Sequence, residues 1–101
     1  MIRADFIYLI KEGTHGVFED PSVHEIKRGV FCEVRSVGAN EYYRALEHGL
    51  EPQFVFTIAD YTEYDGEKTI EYNGQRWRVV RVYYDDNAVE LTVEEAVHNV
   101  R

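Results

Sequence analysis

The sequence is short of cysteine, of long apolar stretches and of positive charge. It has one cysteine, Cys32, so an internal disulfide bond is excluded. No apolar run approaches the roughly 20 residues of a membrane-spanning helix, and the first residues lack the regions of a secretory signal. We therefore expect a chain that is made and kept in the cytoplasm and has no membrane contact.

Negative charge outweighs positive charge, with 19 Asp and Glu against 11 Lys and Arg and a net charge of −8. A groove that holds a nucleic-acid backbone needs clustered Lys and Arg, so this balance disfavours a nucleic-acid binder. The 45% of hydrophobic residues excludes a disordered tail. A length of 101 residues predicts one domain, residues 1–101, with a modest core.

The motifs of common catalytic and metal sites are missing. No two histidines have the spacing of a helical zinc motif, and there is neither a glycine-rich phosphate loop nor a Gly-x-Ser-x-Gly elbow. The acidic residues 60–67 do not follow the spacing of a calcium-binding EF-hand, which favours a solvated turn. Cys32 is interpreted as a buried structural residue. The sequence therefore predicts no enzyme, no cofactor and no metal.

The strongest local signal is the Asn73-Gly74 pair between two runs of β-branched and aromatic residues. Both central residues of a type I′ turn need positive φ, and a two-residue loop fixes the register of the hairpin. A second turn at residues 85–87 and a returning strand at residues 88–93 complete a three-stranded meander. The predicted facing pairs are Tyr72 with Gln75, Glu71 with Arg76, Ile70 with Trp77 and Thr69 with Arg78.

Three further segments, residues 4–11, 30–37 and 52–59, are rich in β-branched and aromatic residues and are predicted as strands. Residues 4–11 carry bulk on both faces, which indicates a closed barrel or a sheet covered on both sides. In the second segment, the face with Cys32 is assigned to the core. The sequence therefore predicts a mainly β protein: a small antiparallel, SH3-like β-barrel of six to seven strands, with one short helix and a long protruding loop.

The short helix is predicted over residues 38–49. Asn40 suits the N-cap, Glu41 suits the first turn and Gly49 suits the C′ position. A helix of about two turns cannot stand alone, so its apolar face should pack on the sheet or on a neighbour. Residues 94–101 suit either a frayed helical turn or a tail.

The connection over residues 12–29 is rich in turn signals, including Gly13 and Gly29. So long a connection in a small domain is more often functional or mobile than not. The alternative is a long β-hairpin whose arms extend past the barrel, and the two interpretations are compatible because a protruding hairpin is itself a contact device. We predict that the loop binds a partner or lines a channel. The predicted residues are Gly13, Thr14, His15, Gly16, Val17, Phe18, Glu19 and Asp20.

The last two-thirds of the chain carry a set of motifs in order. They are Asn40-Glu41-Tyr42-Tyr43, Gly49-Leu50-Glu51-Pro52, the Phe-rich residues 54–58, Asp60-Tyr61, Gly66-Glu67, the hairpin of residues 72–79 and Val89-Glu90-Leu91. This ordered set resembles the head–tail joining proteins of tailed bacteriophages, also called head-completion or stopper proteins. The first third of the chain has no motif that matches the family.

The resemblance implies a homo-oligomeric ring on the portal or adaptor of the packaged phage head. There the protein would close the DNA channel, let DNA pass without specific binding and offer a surface to the tail proteins. The implied location is the head–tail connector of the virion, and the host bacterial cytoplasm during assembly. A closed ring needs two different patches on each subunit. The sequence leaves open whether the isolated protein is a monomer.

Two other functions stay open from the sequence. One is a tail-completion protein of the same particle. The other is a small SH3-like binding module unrelated to phages, with an exposed aromatic groove. The tyrosines of such a groove would be Tyr61, Tyr64, Tyr83 and Tyr84, for which an amphipathic barrel surface is the plainer interpretation.

Overall fold

The computed structural model describes residues 3–13 and 24–96. The order of neighbouring strands is β1-β2-β3-β6-β5-β4, and β4 pairs with β1, so the sheet closes into a barrel. The predicted small antiparallel barrel with one short helix is confirmed, and it has six strands in this part of the chain. In chain order the elements are β1 (Arg3–Gly13), β2 (His24–Ser36), α1 (Ala39–Leu46), β3 (Pro52–Ile58), a 3₁₀ turn (Tyr61–Glu63), β4 (Thr69–Tyr72), β5 (Gln75–Asp85) and β6 (Ala88–Glu95).

The Asn73-Gly74 hairpin has the predicted geometry. Both residues have positive φ, 55° and 75°, as a type I′ turn requires. All four predicted pairs between β4 and β5 occur. Glu71 and Arg76 form the expected cross-strand ion pair, with 3.9 Å between Oε1 and Nε. The second turn also lies where it was predicted, with Asp86 at a φ of 60°.

The core fills the inside of the barrel. Cys32 lies in this core, and burial raises the pKa of its thiol to about 12, so its structural role is confirmed. Burying a large aliphatic or aromatic side chain contributes about 1.5–3 kcal/mol. The fully enclosed residues of the barrel interior are Ile7, Leu9, Phe56, Ile58, Ile70, Val89, Leu91 and Val93.

An irregularity in β5 changes which side chains face inwards. Val79 pairs with Val93 and Val82 pairs with Leu91, although strict alternation would put Val79 and Val82 on opposite faces. The register shifts by one residue between Val79 and Arg81, as in a β-bulge. The bulge therefore places Val82 opposite the core residue Leu91, although Val82 itself stays 39% exposed.

α1 covers part of the outer wall of the barrel. Val55 of β3 and Thr92 of β6 face each other across the two strands, and both alternate with inward-facing neighbours, yet both are buried. α1 contacts β3, and its Ala45 lines one cavity together with Thr92. The predicted packing of the helix on the sheet is confirmed, although no residue of the helix itself is buried.

The helix begins earlier than its predicted N-cap. Gly38 is the N-cap, and the Tyr42 N–H donates to the Gly38 carbonyl at 2.9 Å. The prediction of Asn40 as N-cap is therefore wrong, because Asn40 already lies in the first turn. Glycine is itself accepted at this position, and its carbonyl closes the first turn without a capping side chain.

The end of the helix follows the prediction for Gly49. Gly49 has a φ of 77°. Its N–H donates to the Leu46 carbonyl at 3.0 Å, and the Leu50 N–H donates to the Ala45 carbonyl at 3.1 Å. This pair of hydrogen bonds is the Schellman motif, in which a glycine takes the left-handed conformation.

The connection between β1 and β2 is shorter than predicted. β1 continues to Gly13, which pairs with His24 at the start of β2. Gly29 does not break the strand, because the ring of Phe6 lies over it: a Cβ on Gly29 would stand 2.4 Å from Phe6 Cζ. The long-hairpin interpretation is confirmed for the two strands, and residues 14–23 lie outside the described residues.

Glu94 and Glu95 belong to β6 and do not start a helix, and residues 97–101 lie outside the described residues. Glu94 is buried, accepts a hydrogen bond from the Glu51 N–H at 2.9 Å and pairs with Arg78. Burial alone would raise the pKa of Glu94, but these two donors outweigh it and lower the pKa. The carboxylate thus links the segment before β3 to β5.

We expect Gly74→Ala to lower the free energy of unfolding by about 1 kcal/mol, because positive φ is sterically unfavourable for alanine. An added Cβ would have no heavy atom within 4 Å, so backbone conformation alone should cause the loss. Urea unfolding measures it. Gly74→Asn should lose less, since asparagine tolerates this conformation. Equal losses for the two variants would contradict the explanation.

We expect Glu94→Gln to destabilise the protein at pH 7, because the variant loses the ion pair with Arg78. The contribution of a carboxylate with a lowered pKa is present above the ordinary glutamate pKa and is lost as the pH falls through the lowered value. The deficit should therefore shrink below about pH 4. Urea unfolding at pH 7 and pH 3 tests this, with the exposed Glu47→Gln as control. A deficit of the same size at both pH values would refute it.

Candidate partner-binding surface

The predicted partner-binding loop lies mostly outside the described residues. Gly13 is the last residue of β1 and pairs with His24. The structure therefore describes the paired strand ends that carry the loop. The other predicted residues, all within the undescribed residues 14–23, are Thr14, His15, Gly16, Val17, Phe18, Glu19 and Asp20.

Three aromatic side chains form an exposed row on the outer face of β1 and β2. Phe6 and Phe31 face each other across the strands with ring centroids 4.9 Å apart, and Tyr8 lies 5.4 Å from Phe6. Phe31 is 77% exposed, and Phe6 and Tyr8 are each 40% exposed. Exposed aromatic clusters are typical of protein-binding surfaces. We call Phe6, Tyr8 and Phe31 the aromatic surface.

Charged side chains hold the β1–β2 hairpin against the barrel. Glu25 of β2 accepts two hydrogen bonds from the Arg76 guanidinium of β5, at 2.9 and 3.0 Å. Lys27 pairs with Glu71 of β4 at 3.1 Å, and its Nζ lies 5.2 Å from the centroid of the Tyr8 ring. The hydrogen bonds from Arg76 lower the pKa of Glu25, so this pair stays charged at neutral pH. The network spans β2 to β5 and anchors the hairpin beside the aromatic surface.

The aromatic surface differs from the wall under α1. On that wall, the outward-facing Val55 and Thr92 are buried. On the wall of β1 and β2, the outward-facing Phe6, Tyr8 and Phe31 stay exposed within residues 3–13 and 24–96. The barrel thus has one apolar outer wall that its own helix covers and one that a partner could cover.

The structure does not bring together the four tyrosines of the alternative aromatic groove. Tyr64 is buried: its ring packs in the core cluster, and its hydroxyl donates to the Glu67 carbonyl at 2.7 Å. Tyr61 and Tyr84 form an exposed pair with ring centroids 6.1 Å apart. Tyr83 is the next residue to Tyr84 on a strand and points to the opposite face, where the Arg81 guanidinium lies 5.5 Å from its ring centroid.

Most carboxylates of the acidic residues 60–67 bind the protein itself. Asp60 caps the 3₁₀ turn, and Asp65 pairs with Lys11 at 2.5 Å. Glu67 is buried and pairs with Arg28 at 2.8 Å. Across residues 3–13 and 24–96, no group of three potential metal ligands occurs. In the same ranges, no helix is long and apolar enough to cross a membrane.

Reasoning from the sequence missed the aromatic surface, although a signal for it exists. Phe6 and Tyr8 alternate with Ile7 and Leu9, so both faces of β1 carry large apolar groups. A small closed barrel has room for only one of these faces inside it. Comparing the volume of these side chains with the space inside a six-stranded barrel would have predicted that one face of β1 is exposed.

The comparison with known proteins gives no relative: no protein-family model matches the chain, and no curated protein matches it significantly.

We expect Gly29→Ala to lower the free energy of unfolding by about 1 kcal/mol, because its Cβ would force the Phe6 ring away. In a Phe6→Ala background the same change should stabilise by about 0.5 kcal/mol, since glycine is unfavourable inside a strand. Urea unfolding of the four proteins measures this coupling. The same sign of effect in both backgrounds would show that the Phe6 ring does not dictate glycine at this position.

Proposed function

We propose that this protein is a structural part of a tailed-phage or prophage particle. It binds the portal or adaptor ring, closes the DNA channel of the packaged head and provides the surface to which the tail attaches. The observation that carries the proposal is the anchored β1–β2 hairpin beside the exposed aromatic surface. The ordered motifs of the last two-thirds of the chain, which resemble the head–tail joining family, supply the identity of the partners.

The hairpin and the aromatic surface suit an assembly subunit. A ring forms when two different patches of neighbouring subunits meet and the rotation closes. The Glu25–Arg76 and Lys27–Glu71 pairs hold the hairpin in one orientation before binding. A preoriented element loses less conformational freedom on binding, which favours assembly. Exposed Phe31 then offers an aromatic side chain of the kind that is enriched at protein interfaces.

The charge of the chain suits a channel through which DNA moves. The net charge of −8 leaves no excess of Lys and Arg to hold the phosphate backbone. In the proposed ring, an acidic lumen lets DNA pass without trapping it. A basic lumen in an assembled ring would contradict this part of the proposal.

The test is deletion of the gene from its phage or prophage, followed by electron microscopy of the particles. We expect heads that are empty or leak DNA beside complete, unattached tails. Normal joined particles would overturn the proposal and leave a free-standing binding module. DNA-filled, closed heads beside defective tails would overturn it in favour of a tail-completion role.

Complementation links the phenotype to the aromatic surface. The wild-type gene should restore joined particles, whereas Phe31→Ser should reduce their yield by at least about tenfold, as loss of an interface anchor does. The side chain of Phe31 is 77% exposed, so this variant should keep its fold, which circular dichroism checks. Tyr43→Ser, on α1 and 65% exposed, is the matched control and should complement fully. Full complementation by Phe31→Ser would exclude the aromatic surface from assembly.

A further inference from the structure

β2 is longer than its neighbour β3. It pairs with β3 only from Glu33 to Ser36, because β3 ends at Ile58. Over residues 24–32, β2 pairs with β1 on one side and with no described strand on the other. An unpaired edge of this kind presents N–H and C=O groups that can bind another strand. β2 therefore has an open edge in the described structure, which we call the β2 edge (residues 24–32).

The hydrogen-bonding phase identifies the groups on this edge. The Val37 N–H donates to the Gln53 carbonyl at 3.1 Å, beside the last pair of the β2–β3 ladder. In an antiparallel ladder, every second residue directs its backbone groups to the same neighbour. The series that begins at Val37 thus reaches Phe31, Gly29 and Lys27.

The space that β3 leaves is a groove. It has a volume of about 510 Å³ and lies between the β2 edge and the β5–β6 turn. Thr57 and Ala59, at the end of β3, line it together with Phe31, which continues into the aromatic surface. Neighbouring strands lie about 4.8 Å apart, so a strand added at the β2 edge would run along this groove.

The negative charge of the groove favours a basic occupant. Glu33, Asp85 and Asp86 line the groove, and none of them forms an ion pair with a Lys or Arg of residues 3–13 and 24–96. Three carboxylates that have no Lys or Arg partner among the described residues favour Lys or Arg side chains on the incoming segment. A second copy of this chain, with its net charge of −8, is a poorer occupant than a basic partner.

We propose that the β2 edge binds an extended segment of a partner protein that carries Lys or Arg, and that the segment adds a strand to the barrel where β3 ends. Backbone hydrogen bonds to the β2 edge supply the pairing. Glu33, Asp85 and Asp86 bind the cations, and Phe31, which lies on the same face of β2 as Glu33, packs on the aliphatic stems of those Lys or Arg side chains. This inference goes beyond the proposed function and does not depend on it.

The test is an NMR titration of the full chain with the peptide acetyl-Lys-Val-Lys-Val-Lys-Val-Lys-amide. We expect the amide resonances of residues 27–33 and 85–88 to shift. The double variant Asp85→Asn/Asp86→Asn should weaken the binding about fivefold, in line with two partly exposed ion pairs. Glu47→Gln, at the exposed C-cap of α1, is the matched control and should leave the binding unchanged.

Two peptide controls separate the contribution of the Lys charges from that of the backbone hydrogen bonds. The peptide with Glu in place of Lys should not bind. N-methylation of one alternate set of backbone amides should abolish binding and methylation of the other set should not, because only one set faces the β2 edge.

Three outcomes would overturn the proposal. They are the absence of shifts at millimolar peptide, equal binding of the acidic peptide, and equal binding of both methylated forms, which would indicate side-chain contacts without strand addition. Shifts of the same amides on concentrating the protein alone would assign the edge to a second copy and would also overturn it.

Discussion

The barrel depends on the register that the Asn73-Gly74 turn imposes on β4. β4 bonds to β5 on one side and to β1 on the other, so its position decides whether the sheet closes. A slip of one residue would turn Ile70 and Tyr72 out of the core. It would also move Glu71 away from Lys27, so closure of the barrel and anchoring of the hairpin depend on the same short strand.

In the closed barrel the interior is filled with side chains, whereas only part of the outer surface of the sheet is covered by another element. α1 buries Val55 and Thr92, and it is tied to the sheet through Glu41, which lies 3.5 Å from Arg35. The wall of β1 and β2 has no such cover among the described elements and keeps Phe31 exposed. Because β2 also extends beyond β3, the aromatic surface meets the β2 edge, which pairs with no described strand on that side, at Phe31.

The barrel could be predicted from the sequence where local chemistry decides the structure. The Asn-Gly turn fixes a register by itself, and alternation identifies the core face around Cys32. The predictions failed where a contact with a residue far away in the sequence determines the local structure or the burial of a side chain. Gly29 looked like a break, but the Phe6 ring across the strand pair holds it in β2. Tyr64 looked like groove surface, but a loop carbonyl and the core enclose it. The candidate surface was missed for the same reason, because which face of β1 points outwards depends on closure.

The pairing of β1 with β4 has a kinetic consequence. It joins Tyr8 to Glu71, which are far apart along the chain, whereas the β4–β5 and β5–β6 hairpins join near neighbours. Contacts between distant residues form late, because the chain must lose much of its freedom before they add stability. The two hairpins can therefore form first, and we expect the β1–β4 pairing to close the barrel in a later step. Until then, the edges of β1 and β4 are open to other chains, so a high concentration of newly made protein favours aggregation during this interval.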